Sequence, residues 1–105
     1  MHATRQIAAL ADPTRHRIFD LVREAPSSVR ALTDAIGVSQ PAVSQHLKVL
    51  REASLVLSTA RGAANIYSVN PIGVEVLRRW ADDLWDDVLD RFVDAAENAK
   101  REETA

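Results

Sequence analysis

Ser39-Gln40-Pro41-Ala42-Val43-Ser44-Gln45-His46-Leu47-Lys48-Val49-Leu50-Arg51 is the stretch whose reading decides the fold. Ser39 is a good helix N-cap, and Pro41 falls in the first turn, where a missing N–H costs little. At about 100° per residue, Val43, Leu47 and Leu50 share one narrow stripe. Gln45 and Lys48 lie roughly opposite, with Gln40, Ser44 and Arg51 on one shoulder and His46 on the other flank. One side can dock on a core. The other presents amides and hydroxyls toward its N-terminal half and cations toward its C-terminal half. That division suits a helix set in a DNA major groove, where amides and hydroxyls read base edges and cations meet phosphates. Taken alone, the segment also fits an ordinary amphipathic surface helix.

The preceding residues sharpen the choice. Ser28 to Ile36 reads as a short helix capped by Ser28, with Val29, Leu32 and Ile36 on one face. Gly37 supplies the positive φ that a helix C-terminus prefers. Val38 is apolar and is expected to plug the corner before Ser39. Helix, Gly-containing turn and second polar-faced helix make a helix-turn-helix over about residues 28–52.

Working toward the N-terminus, Asp12-Pro13 marks a helix start, with Asp12 as N-cap. This helix is expected to run to about Glu24 and bury Ile18, Leu21 and Val22. Arg15 and Arg17 near its start are open to two uses, a phosphate or an acidic neighbour such as Asp12 or Asp20. A shorter helix, about residues 4–10, carries Ile7 and Leu10.

Working toward the C-terminus, Leu55–Thr59 and Ile66–Val69 are short β-type runs around the turn segment Arg61-Gly62-Ala63-Ala64-Asn65. A hairpin directly after a helix-turn-helix is a wing, here over about residues 55–70, and Arg61 is its only cation. Asn70-Pro71 restarts helix, expected to reach about Lys100, some 26 residues beyond Val74 and about 40 Å. Val74, Leu77, Trp80, Ala81, Leu84, Trp85, Val88, Leu89, Phe92, Val93 and Ala96 form an apolar arc too broad for one small domain. Burial against its own domain and against a second copy is the simplest expectation, with Ile7 and Leu10 joining Leu77, Trp80, Leu84, Trp85, Val88 and Phe92 in the interface.

The 105 residues suit one domain, 1–105. With no cysteine, disulfides, thiolate metal ligands and thiol redox chemistry are excluded. The chain has no apolar run of membrane-span length and no signal-peptide pattern, so a soluble cytoplasmic protein is expected. The net charge of −2 is unevenly spread. Residues 1–70 carry eight Lys/Arg against five Asp/Glu, giving +3, while residues 71–105 carry five against ten, giving −5. The basic portion coincides with the helix-turn-helix, where a nucleic-acid footprint belongs.

The order of elements and the wording now resemble the ArsR/SmtB family of winged-helix repressors. The resemblance rests on Leu10-Ala11-Asp12-Pro13-Thr14-Arg15, on Ser39 through Leu50, and on a wing with Gly62 and Tyr67 followed by a long helix. It implies a mainly α winged helix-turn-helix in the order α-α-α-α-β-β-α with a small β-hairpin, dimerising through the first helix and the last, at about 71–98. It implies a homodimeric repressor binding double-stranded operator DNA, an imperfect palindrome near its own promoter, and releasing it when an inducer binds. Carried over, base contacts fall to Gln40, Ser44 and Gln45, with Pro41 close to the groove. Phosphate contacts fall to Lys48 and the Ser28/Arg30 region, and wing contact to Arg61. His46, on the flank of the same helix, completes the DNA-binding set.

The departures from the family concern the signal. Metal-sensing relatives place Cys-x-Cys where Ser28 and Arg30 stand here. Others ligate metal between their last helices through Asp, His and Glu, whereas this chain has no His after His46. The carboxylates at 82–94 spread over three turns of one helix and read as a solvated face rather than a cation site. Neither metal nor cofactor is expected. Trp80, Trp85 and Leu89-Asp90-Arg91-Phe92 look like a metal-free branch with a Trp-rich last helix. Trp80 and Trp85 fit dimer core better than the wall of a ligand pocket. Catalysis is not expected, because His16 and His46 have no nucleophile or carboxylate pair placed to use them. The competing reading is a winged-helix module that contacts only proteins, with no salt-dependent DNA binding.

Overall fold

The computed structural model describes residues 2–104 as five helices and three short strands. Helix α1 spans Thr4–Ala11, α2 Pro13–Glu24, α3 Val29–Ile36, α4 Gln40–Glu52 and α5 Pro71–Thr104. The strands are β1 Ser27–Ser28, β2 Val56–Arg61 and β3 Ala64–Val69. Helix starts follow side-chain chemistry. Asp12 accepts the Arg15 N–H at 2.9 Å, Ser28 the Ala31 N–H at 3.1 Å, and Ser39 the Ala42 N–H at 3.3 Å. Gly37 closes α3 in the left-handed region at φ 84°, its N–H donating to the Thr33 carbonyl.

The core is the meeting place of α2, α3, α4 and the base of the wing. Ile18 and Val22 of α2, Leu32 of α3, and Val43, Leu47 and Leu50 of α4 are fully buried with Leu55 and Val56. The expected apolar stripe of α4 therefore faces inward in full. Phe19 is buried beside the expected Ile18 and Val22, whereas Leu21 is only half-buried. Val38 does not plug the helix-turn-helix corner and remains 38% exposed.

The β-structure is larger than a hairpin. Ser27 and Ser28 pair antiparallel with Tyr67 and Ile66, which makes a three-stranded sheet in the order β1-β3-β2. The expected order α-α-α-α-β-β-α holds for the helices and the hairpin, and β1 is added to it between α2 and α3. Two residues are too few to show a strand's alternation, and the extended backbone that pairs Ser28 is the one its N-cap role requires, φ −79° and ψ 161°. The wing strands also run further than their apolar runs suggested. Pairing continues to Arg61 opposite Ala64, leaving only Gly62 and Ala63 as the turn. Gly62 has φ 62° and Ala63 is not in the positive-φ region, the backbone pattern of a two-residue II′ hairpin.

Helix α5 meets the domain only at its start. Asn70 is buried, donates its N–H to the Leu55 carbonyl, and accepts the Ile72 N–H on its side chain at 3.0 Å. Glu75, Val76 and Leu77 are half-buried, and from Arg78 to Glu103 every residue is exposed. The 34 residues of α5 make about 51 Å of rod, which stretches the molecule to 73 Å along its longest axis. The arc from Val74 to Ala96 was expected to be half-covered by its own domain, and this is corrected for the residues beyond Leu77. They project beyond it.

Candidate nucleic-acid interface

The inward face of α4 is fixed by its core contacts, so its outward face is fixed too. Gln40, Pro41, Ser44, Gln45, Lys48 and Arg51 are all exposed along that face. His46 is different. It is half-buried and close enough to α2 for its charge to act on Asp12. The Asp12 carboxyl is held below its usual range chiefly by the Arg15 N–H it accepts, with smaller contributions from the charges of Arg15 and His46. His46 is thus less exposed than the outward amides.

Ser28, Arg30 and Gln40 come together with the wing. They line a groove of about 370 Å³ whose opposite wall is Ala63, Ala64 and Asn65. The groove unites the start of α3, the start of α4 and the wing tip, three segments separated in sequence. Asn65 was legible only as a turn former. Its place on the groove wall facing Arg30 follows from the pairing of β1 with β3, Ser28 opposite Ile66, which the sequence does not announce. The Ser28 hydroxyl oxygen is occupied as the cap of α3, which leaves its O–H free to donate outward.

The pairing of cations separates this face from the start of α5. Arg30, Lys48, Arg51 and Arg61 form no hydrogen bond or ion pair with any carboxylate among the described residues. At the start of α5, by contrast, Arg78 bonds Glu75 and Asp82 at 2.6 Å each, and Arg79 bonds Glu75 at 3.1 Å. Cations left unpaired around an exposed row of Gln and Ser can meet phosphates without first breaking an ion pair. The Arg15 guanidinium bonds no carboxylate among the described residues. Its guanidinium caps the C-terminus of α1, donating from Nε to the Ala9 carbonyl at 2.8 Å and from Nη2 to the Ala8 carbonyl at 3.4 Å. Arg17 is exposed and pairs with neither Asp12 nor Asp20, and Asp20 is instead bonded by Arg23 and His16.

The expected interface residues divide into two groups. Leu10 and Leu77 are half-buried and pack on this chain's own core. Ile7, Trp80, Leu84, Trp85, Val88 and Phe92 are exposed, with Trp85 at 62% and Phe92 at 69%. Among the described residues, no three His, Asp or Glu side chains are grouped closely enough to hold a metal ion. No helix is long and apolar enough to cross a membrane.

A helix-turn-helix with a β-wing and an outward row of amides, hydroxyls and unpaired cations defines the winged-helix class of transcriptional regulators. Residues 12–58 match the family described as bacterial regulatory protein, arsR family. The chain is 43% identical over 77 residues to the HTH-type transcriptional regulator Rv2034 of Mycobacterium tuberculosis, covering 73% of this chain and 72% of that one. It is 28% identical to the transcriptional repressor SdpR of Bacillus subtilis, over 69% of this chain and 80% of the relative. Among solved structures, a possible transcriptional regulator for arsenical resistance superposes with a TM-score of 0.71 at 39% identity, covering 84% of this chain and 92% of the other. The homodimeric winged helix-turn-helix DNA-binding domain of Mb0332 from Mycobacterium bovis superposes with a TM-score of 0.64 at 30% identity, covering 83% and 77%. This chain belongs to the ArsR family of bacterial transcriptional regulators.

Proposed function

We propose that the chain acts in the cytoplasm as a homodimeric repressor of an operator near its own promoter. One observation carries the reading. The exposed face of α4 joins Gln40, Ser44 and Gln45 to cations that no carboxylate engages. In this reading Gln45 and Gln40 grip base edges through their amides and Ser44 donates or accepts beside them. Lys48, with Arg30 and Ser28 at the groove beside the wing, holds phosphates, and Arg61 meets the backbone or minor groove beyond the wing.

Dimerisation is supported by the stripe on α5. An uncovered row containing two Trp and a Phe is more apolar surface than a small monomer normally leaves in water. Burying such side chains against a second copy stabilises by about 1.5–3 kcal/mol for each one fully covered. A two-fold dimer presents two α4 helices to half-sites about 34–36 Å apart, one turn of DNA or a multiple of it. The matching operator is an imperfect palindrome, and release from it answers to a small-molecule inducer.

The test is a fluorescence-anisotropy titration of the full chain against duplexes tiled over its own upstream region, repeated across a salt series. One tile should bind far more tightly than the rest, with affinity falling steeply as salt rises. Equal, weak affinity for every tile would leave the proposal without its operator. A complete lack of salt-dependent binding would favour a module that contacts only proteins.

A further inference from the structure

A second concavity lies apart from the groove beside the wing. It is a cleft of about 530 Å³ between α1 and the last turns of α4, with Arg15 of α2 at its edge. This size falls within the range of small-molecule sites. Ala8, Val49 and Ala53 give it apolar wall, while Arg5, Arg15 and Glu52 bring charge, one positive in balance. None of the proposed DNA-contacting residues and no part of α5 lines it.

Both guanidiniums keep donors in reserve. Arg15 spends Nε on the Ala9 carbonyl and Nη2 on the Ala8 carbonyl, and its Nη1 bonds nothing among the described residues. Among the described residues Arg5 makes one long hydrogen bond, from Nη1 to the Glu52 carbonyl at 3.5 Å. Each guanidinium carries five N–H donors, so an acceptor-rich group entering between them would be met by N–H groups that fold maintenance does not require. We propose that this cleft binds a small organic monocarboxylate with a compact apolar body, its carboxylate on Arg5 and Arg15 and its body against Ala8, Val49 and Ala53.

The position gives such a ligand something to act on. Gln6 Nε2 donates to the Ala53 carbonyl at 2.8 Å, a buried bond that ties α1 to the end of α4 at the back of the same seam. The cleft also stays open in the proposed dimer. Arg5 and Ile7 lie about 160° apart around α1 at 100° per residue, so the flank that carries Ile7 faces away from the cleft. A role as an inducer site rests on the DNA-binding reading, but occupancy does not, and it is tested without DNA.

The experiment titrates the isotope-labelled full chain with sodium benzoate and follows backbone amides by NMR, with neutral benzamide and sodium chloride as controls. Saturable shifts at Ala8, Ala9, Val49 and Ala53 are expected with benzoate alone. Arg5→Gln should raise the midpoint about tenfold, the usual cost of losing one charge-assisted hydrogen bond. Ala8→Phe, a substitution at an exposed position that fills the cleft, should abolish the response. Arg15→Gln is the second charge variant, and Arg5→Gln keeps the test sound if loss of the α1 cap unfolds it. The proposal is overturned if no shift saturates below about 10 mM. It is equally overturned if benzamide matches benzoate, if Arg5→Gln leaves the midpoint unchanged, or if the shifts scatter over the surface cations.

Discussion

The Gly73 N–H donates to the Ser54 carbonyl at 2.9 Å, and a Cβ built on Gly73 would stand 2.3 Å from that same oxygen. Ser54 in turn is held in the left-handed region at φ 59°, the turn that ends α4, where the Leu55 N–H reaches back to the Leu50 carbonyl. Thus the end of α4 and the start of α5 are fastened backbone to backbone, with no room for a side chain between them. Gly73→Ala should destabilise the fold by about 1–3 kcal/mol, the usual cost of overpacking a tight site. Urea unfolding followed by circular dichroism measures it, and an unchanged midpoint would show that the approach can relax freely.

Gln45→Ala and Lys48→Ala should fail in different ways. Loss of the amide should narrow the gap between operator and scrambled duplex, by about 1–3 kcal/mol if Gln45 makes a bidentate base contact. Loss of the ammonium should weaken both duplexes alike and reduce the salt slope by about one. Anisotropy titrations at several salt concentrations separate the two. Variants that both bind as the parent does would remove α4 from the interface.

The α5 stripe makes a prediction about assembly. Trp85→Ala and Phe92→Ala each remove a large exposed aromatic side chain, and each should weaken self-association by about 2 kcal/mol or more if it anchors the interface. Sedimentation equilibrium reads the dimer constant directly. A parent chain that sediments as a monomer at micromolar concentration would leave the stripe without its proposed occupant.

Acid should act on two helix starts. Hydrogen bonds from Arg78 and then Arg79 draw the Glu75 carboxyl down from 4.5 to about 2, and Asp12 is lowered mainly by the Arg15 N–H. Both groups are more acidic folded than unfolded. Their stabilisation is therefore complete above the unfolded value and is lost as pH falls toward the folded one. For Glu75 that window runs from about 4.5 down to about 2. Glu75→Gln should flatten the pH dependence of stability there, and Asp12→Asn should do so while keeping an N-cap. Thermal unfolding across the acid range checks both, and high salt should shrink the Glu75 effect because that carboxylate is solvated.

The sequence by itself determined the helix-turn-helix. The caps at Asp12, Ser28 and Ser39, the Gly37 stop and the stripe of Val43, Leu47 and Leu50 are local signals, and each acts within a few residues of where it is read. The outward face of α4 followed directly, since one helical face buried leaves the other exposed. Only the tertiary structure decided matters set by residues distant in the chain. The pairing of Ser28 with Ile66, and with it the groove that Arg30 and Asn65 share, depends on how β1 docks on the edge of the hairpin. The capping of α1 by Arg15 and the hold of Gln6 on Ala53 depend on how helices cross. A periodic pattern specifies which side of an element seeks cover, but not which element supplies it. For the same reason the apolar arc of α5 was visible at once, while its departure from the domain after Leu77 was not.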